Sequence, residues 1–180
     1  MRRPITALAV FAALLPGAVR GEVTGSGEAG FVTRDQAFIA AAPAEIWAVL
    51  VDPARYWNPQ HSWSLDGGNF TLDPVAGGCF CEALPGGENG PGGSVEHMRV
   101  LHAAPGRLLR MTGALGPLQS EALAATLTVS LDSEEGGTRV VWEYVVGGYA
   151  RFDLGQIAPA VDQVQSEQLA RLAAEVTRAR

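Results

Sequence analysis

The chain has 180 residues and a formal net charge of −6. With 47% hydrophobic and 18% charged residues it is not a disordered chain, and its length suits one domain with its own core. The 13 basic residues are all arginine, and the acidic balance leaves no basic stripe for a phosphate backbone, which argues against nucleic acid as a partner.

The segment MRRPITALAVFAALLPGAVRG begins on Arg2 and Arg3, runs apolar from Ile5 to Leu15 and breaks at Pro16-Gly17. Val19 and Gly21 suit the small-residue rule for cleavage after Gly21, so residues 1–21 read as a secretory signal peptide. The apolar run is too short to span a bilayer. The mature chain is expected in the periplasm or secreted, with no transmembrane segment, in an oxidising compartment. Residues 22–30, EVTGSGEAG, read as a flexible tether, and the folded domain is expected over 31–180.

FVTRDQAFIA reads as a strand. PAEIWAVLVDP reads as a short helix, with Pro43 in its first turn, Asp52-Pro53 at its end, and Ile46, Val49 and Leu50 on one face. ARYWNPQ is a second short helix or turn before HSWSLDGGNFTLDP. Strand-like runs follow, each closed by a turn signal: GCFCEAL, SVEHMRVLHA, RLLRMTG, EALAATLTVSL and TRVVWEYVVGGY. Short turns between closely spaced runs mean an antiparallel meander. After Asp153 the period becomes helical, with Val161, Val164, Leu169, Leu172, Ala173 and Val176 in one stripe. A single sheet needs a cover for its apolar face, and this helix is the long one available.

This order, an α+β fold, resembles the helix-grip proteins of the START-like (SRPBCC) superfamily, in the polyketide cyclase/dehydrase and Hsp90-ATPase-activator-homologue branch. The resemblance is carried by AAPAEIWAVLVDPARYW, GGCFCE, VEHMRVLHAAPGRLLRMTGALGPLQ, GGTRVVWEYVVGGY and VDQVQSEQLARLAAEV, over about residues 31 to 177. It implies a curved antiparallel sheet wrapped on the C-terminal helix, two short helices after the first strand, and a ligand cavity between sheet and long helix.

Cys79 and Cys81 stand two residues apart, about 6.6 Å along an extended strand, whereas a disulfide needs β-carbons at about 3.8 Å. A disulfide therefore requires a bulge, for which Gly77-Gly78 leaves room. A structural metal site needs two ligands beyond Cys-x-Cys, and a single histidine leaves the set incomplete, so no metal is expected. Hairpin register decides what faces the cysteines. With an even sum of paired numbers His97 shares their face; with an odd sum Glu96 and Met98 do. Patterning favours Cys79, Cys81, Met98 and Val100 inside as small buried apolar groups, with Phe80, Glu82, His97 and Arg99 outside and Glu82 paired with His97.

No nucleophile, zinc-protease or phosphate-loop motif is present. GGENGPGG reads as an exposed hairpin loop that could rim a cavity. His102 reads as solvated. His61, between Trp57 and Trp63 in YWNPQHSW, is placed by the resemblance near the cavity mouth. His61 and Glu96 are the candidate acid/base groups for catalysis. The candidate ligand-binding residues are Trp57, His61, Trp63, Cys81, Glu96, Met98, Met111, Trp142 and Tyr144. The leading expectation is an exported protein that binds a small hydrophobic or aromatic molecule, lipids included, without cofactor. The alternatives are a cyclase- or hydrolase-type enzyme using His61 or Glu96, and an interaction module related to Hsp90 co-chaperones.

Overall fold

The segment from Phe31 to Ile39 is apolar at both ends and polar in its middle, and its odd-numbered positions are the buried ones. In the computed structural model, which describes residues 19–87 and 90–180, this is strand β2 (Gly30–Ile39). It is preceded by β1 (Arg20–Gly27) and followed by helix α1 (Pro43–Leu50). Pro43 starts α1, where a missing N–H costs nothing, and the Glu45 carboxylate accepts from the Ala42 N–H at 2.7 Å. Ile46, Val49 and Leu50 form its buried face. The second short helix is realised as 3-10 turns at Pro53–Arg55 and Pro59–His61.

The meander comprises β3 (Phe70–Leu72), β4 (Cys79–Leu84), β5 (Gly93–Ala104), β6 (Leu108–Thr112), β7 (Ala122–Glu134) and β8 (Gly137–Tyr149). All pairs are antiparallel, in the order β1-β2-β8-β7-β6-β5-β4-β3. Helix α2 (Leu154–Arg178) begins at Asp153, whose carboxylate accepts from the N–H groups of Gly155 and Gln156. It crosses the inner face of the sheet, chiefly over β2 and β1, and touches α1. Val140, Trp142, Tyr144 and Val146 on β8 and Leu169, Leu172 and Val176 on α2 all enter the core. Each such leucine contributes about 2 kcal/mol through burial. No helix among the described residues is long and apolar enough to cross a membrane.

One segment departs from expectation. Residues 22–27 are not a tether: they belong to β1, paired with β2 from Arg20↔Gln36 to Gly27↔Gly30. Their polar, glycine-rich composition suits an edge strand exposed on most of its length. The expected signal peptide lies, as far as residue 18, outside the described residues. Cleavage after Gly21 would remove two of the β1 register pairs, Arg20↔Gln36 and Gly21↔Asp35.

Candidate functional site

Strand β4 alternates without interruption: Phe80 and Glu82 are buried, and Cys79 and Cys81 lie half-buried on the opposite face. Strand β5 does not. Phe80 pairs with Met98, yet the next pair is Cys81 with Glu96, which makes His97 one residue too many. Such a bulge turns the local backbone and re-aims a side chain. His97 and Met98 both point inward, while Glu96 and Arg99 remain exposed. Both sequence registers therefore occur, even before the bulge and odd after it.

The expected faces are accordingly corrected. The cysteines are outside, joined to each other with Cα atoms 5.4 Å apart, and are not buried apolar groups. Glu82 and His97 do pair, but inside the protein. His97 Nε2 lies 2.9 Å from Glu82 Oε2, with side chains 5% and 0% exposed. The same carboxylate accepts from the Trp63 N–H at 3.1 Å and the Ser64 N–H at 2.5 Å.

Burial pushes the Glu82 carboxyl up, but hydrogen bonds from Ser64, Trp63 and His97 outweigh it and hold it below the ordinary carboxylate value. Burial lowers the His97 imidazole below its ordinary value, against the hydrogen bond and charge of Glu82. At neutral pH Glu82 is thus ionised and His97 neutral. An ionised carboxylate only accepts, so Nε2–H of His97 donates to it and Nδ1 carries the free lone pair. Nδ1 makes no hydrogen bond among the described residues.

His97 packs in an aromatic group, 5.1 Å from the Phe70 ring and 5.3 Å from the Phe80 ring, and Trp57 meets Phe80 edge-on at 5.2 Å. The backbone of the bulge is backed by Gly113, at φ +150°. A β-carbon there would stand 2.4 Å from the His97 carbonyl oxygen and 2.9 Å from Met98 Cα. Gly113→Ala is therefore expected to cost about 2–4 kcal/mol. Urea unfolding at pH 7 checks this; an unchanged midpoint would show that the bulge can shift freely.

Above the bulge lies a cavity of about 350 Å³. One wall is the first half of α2, where Ile157, Ala160, Val161 and Val164 present apolar groups. The opposite walls are the turn from Leu115 to Leu118 and the loop from Trp57 to Trp63. The first turn is held by Tyr144, whose hydroxyl accepts from the Leu115 N–H at 3.0 Å and donates to the Gly113 carbonyl at 3.2 Å. The second is strapped to α2. Asn58 N–H donates to Gln168 at 2.9 Å, the Asn58 amide bonds Glu167, and His61 Nε2 lies 3.0 Å from Glu167. Arg171 adds a 2.6 Å bond to the Tyr56 carbonyl. These straps fix the loop beside α2 at residues 167–171, and the cavity lies one to three turns earlier along the helix. Trp63, 55% exposed, stands at its mouth.

Of the expected site residues, Trp57, His61 and Trp63 come together on the cavity wall. Met98, Met111, Trp142 and Tyr144 do not reach it. They are at most 4% exposed and fill the core, with Met111 and Trp142 around a void of about 10 Å³. Cys81 faces away. Glu96 is on the outer surface, ion-paired with Arg99, and lines an open groove there. None of the described residues in the glycine-rich hairpin loop lines the cavity. His97 and Gln165 do line it, and neither was singled out as a ligand contact. Gln165 carried a signal, a polar residue four positions from both Val161 and Leu169 on the apolar stripe. Among the described residues no cluster of three or more His, Cys, Asp or Glu side chains could hold a metal ion.

A curved, open eight-stranded antiparallel sheet closed over by a long C-terminal helix defines a helix-grip protein. The chain belongs to the polyketide cyclase/dehydrase and lipid transport family, whose model matches residues 30–177. Solved structures agree in fold. A protein from Mesorhizobium loti is similar with TM-score 0.59 and 18% identity, over 83% of this chain and 98% of that one. An uncharacterized protein from Rhizobium leguminosarum gives 0.57 and 20%, over 89% and 99%. A protein of unknown function from Staphylococcus aureus gives 0.57 and 13%, over 82% and 94%. Among the curated proteins no sequence matches.

Proposed function

We propose that this protein is exported and binds a small hydrophobic molecule in the cavity between α2, the Leu115–Leu118 turn and the Trp57–Trp63 loop. The observation that carries the binding is the cavity itself: about 350 Å³, within the range of small-molecule sites, and walled mainly by apolar side chains. Burial of apolar ligand surface at about 25 cal/mol per Å² supplies affinity without a covalent step. The paired cysteines support the export reading, since disulfides persist in oxidising compartments.

Titration with the neutral fluorophore Nile red tests the binding. Saturable enhancement is expected with the native chain, and at least a tenfold loss with Val164→Phe, which fills the cavity from the helix side. Equal binding by both chains would remove the assignment to this cavity. The export reading is tested separately, by N-terminal sequencing of the protein recovered from its producing cell. Glu22 as first residue is expected; an intact Met1 would end it.

A second reading, acid–base catalysis, is favoured by one observation. A neutral histidine backed by a buried carboxylate lines the cavity with a free lone pair, the arrangement a general base requires. The candidates for it move from His61 and Glu96 to His97 and Glu82.

A further inference from the structure

The polar groups in the depth of the cavity restrict what kind of hydrophobic molecule fits, and the restriction rests on the binding reading above. Gln165 on α2 is 1% exposed, lines the cavity, and its Oε1 has no hydrogen-bond partner among the described residues. A buried amide oxygen without a partner is uncommon and points to a group that arrives from outside the fold. His97, on the same lining and 5% exposed, offers the bare Nδ1 lone pair.

The charge around these groups is equally informative. No arginine lines the cavity among the described residues. Its two histidines are each held by a carboxylate, His97 by Glu82 and His61 by Glu167. The field behind the lining is therefore negative. A carboxylate or phosphate head would enter without a partner and against that field, and a buried unpaired anion is strongly disfavoured.

We infer that the ligand is a neutral apolar molecule with one hydroxyl, alcohol or phenol, at its buried end, and that Gln165 and His97 receive it. A hydroxyl has one proton to donate and two lone pairs. It can donate to Gln165 Oε1 or to His97 Nδ1, and it can accept from the Gln165 amide if the side chain rotates. An ether or ketone can only accept, so it leaves His97 Nδ1 unpaired. The apolar body then lies along Val161, Val164 and Leu118 toward the Trp63 mouth. A cavity of this size holds about a dozen waters' worth of volume, at about 30 Å³ each, which suits a molecule of two or three fused or linked rings.

Displacement of Nile red from the full chain by 4-phenylphenol, biphenyl and biphenyl-4-carboxylate tests the inference. 4-Phenylphenol is expected to bind about five- to tenfold tighter than biphenyl, the worth of one net hydrogen bond, and the carboxylate to bind weakest. Gln165→Met, close in volume, should reduce the phenol's advantage at least threefold while leaving biphenyl unchanged or tighter. Equal affinity of phenol and biphenyl overturns the hydroxyl subsite while the apolar cavity stands. A carboxylate that binds tightest overturns the neutral class. An advantage that survives Gln165→Met intact removes Gln165 from the subsite. Displacement by none of the three, with Nile red bound, overturns the subsite. If Nile red itself fails to bind, the cavity reading falls with it. The comparison of the three ligands on the native chain decides the class even if the variant does not fold.

Discussion

Glu82→Gln is expected to destabilise the fold by about 3–5 kcal/mol at pH 7. Three donors converge on the Glu82 carboxylate, the N–H groups of Trp63 and Ser64 and the Nε2–H of His97. A glutamine keeps one acceptor oxygen and turns its NH2 toward another donor, in a place shut off from water. Removing the charge that three buried donors share, and leaving one of them unpaired, costs this order of energy. The exposed pair of Glu96 and Arg99 provides the contrast: Glu96→Gln should cost less than about 1 kcal/mol.

The sign of the pH dependence follows from the same residues. Both Glu82 and His97 have folded pKa values below their ordinary ones. His97 contributes stability above its ordinary 6.5 that declines as pH falls below it, and Glu82 contributes stability above 4.5 that is lost on further acidification through its folded value. Urea midpoints at pH 7, pH 5 and pH 3.5, measured on the Asp35→Asn chain so that Asp35 does not titrate, check both statements. A Glu82→Gln chain as stable as the native one would mean that the carboxylate is not what orders the bulge and the Trp63–Ser64 segment.

Asp35→Asn should act in the opposite direction. Asp35 stands on the inner row of β2, fully buried, where most β-sheet positions are apolar. Its Oδ1 accepts from Ser166 of α2, its Oδ2 has no partner among the described residues, and Asp162 lies on the same side of α2. Burial raises its pKa from an ordinary 3.8 to about 7, against the Ser166 hydrogen bond and with help from Asp162. Asp162 is itself raised by burial and by the charge of Glu22 on β1. Gly21 leaves the space these oxygens occupy, since a β-carbon there would stand 2.1 Å from Ser166 Oγ and 2.4 Å from Asp35 Oδ1.

The unfolded chain releases the Asp35 proton near pH 4, whereas the folded chain holds it until about pH 7. The contribution of Asp35 to stability is therefore fullest below the unfolded value and falls by about 1.4 kcal/mol per pH unit across that window. Asparagine has no proton to lose. Relative to the native chain, Asp35→Asn is expected to gain steadily from pH 4 to pH 7 and then level off, a difference of a few kcal/mol at pH 8. A difference that stays constant from pH 4 to pH 8 would show that Asp35 titrates normally in the fold.

What the sequence revealed and concealed follows from the period of each segment. The helical stripe from Val161 to Val176 and the alternation in β7 and β8 were legible because one face of each is buried and the other wet, while β2 was read from its apolar ends. β1 was not: at the sheet edge it buries almost nothing, so its glycines and polar residues carry no alternation to read. The bulge at His97 was concealed for a different reason. One extra residue exchanges every face assignment beyond it, and no local preference marks which residue is extra. The pairing of Phe80 with Met98 set Phe80 and Glu82 inward and the cysteines outward, and the extra residue then turned His97 inward and left Glu96 on the surface. Trp57, His61 and Trp63, which the resemblance put near a cavity mouth, lie together on the cavity wall. The core residues Met98, Met111, Trp142 and Tyr144 were assigned inward, but nothing in a strand pattern distinguishes packing the core from facing a cavity.

The claim that a small apolar molecule occupies the space beside the first half of α2 is tested most directly by methyl NMR of the full chain, labelled at leucine and valine, during titration with 4-phenylphenol. Saturable shifts are expected at Leu115, Leu118, Val161 and Val164, which line the cavity, with Leu127 and Leu172 in the solid core unmoved. Shifts centred on the core or spread over the outer face of the sheet, or none at all, would contradict it.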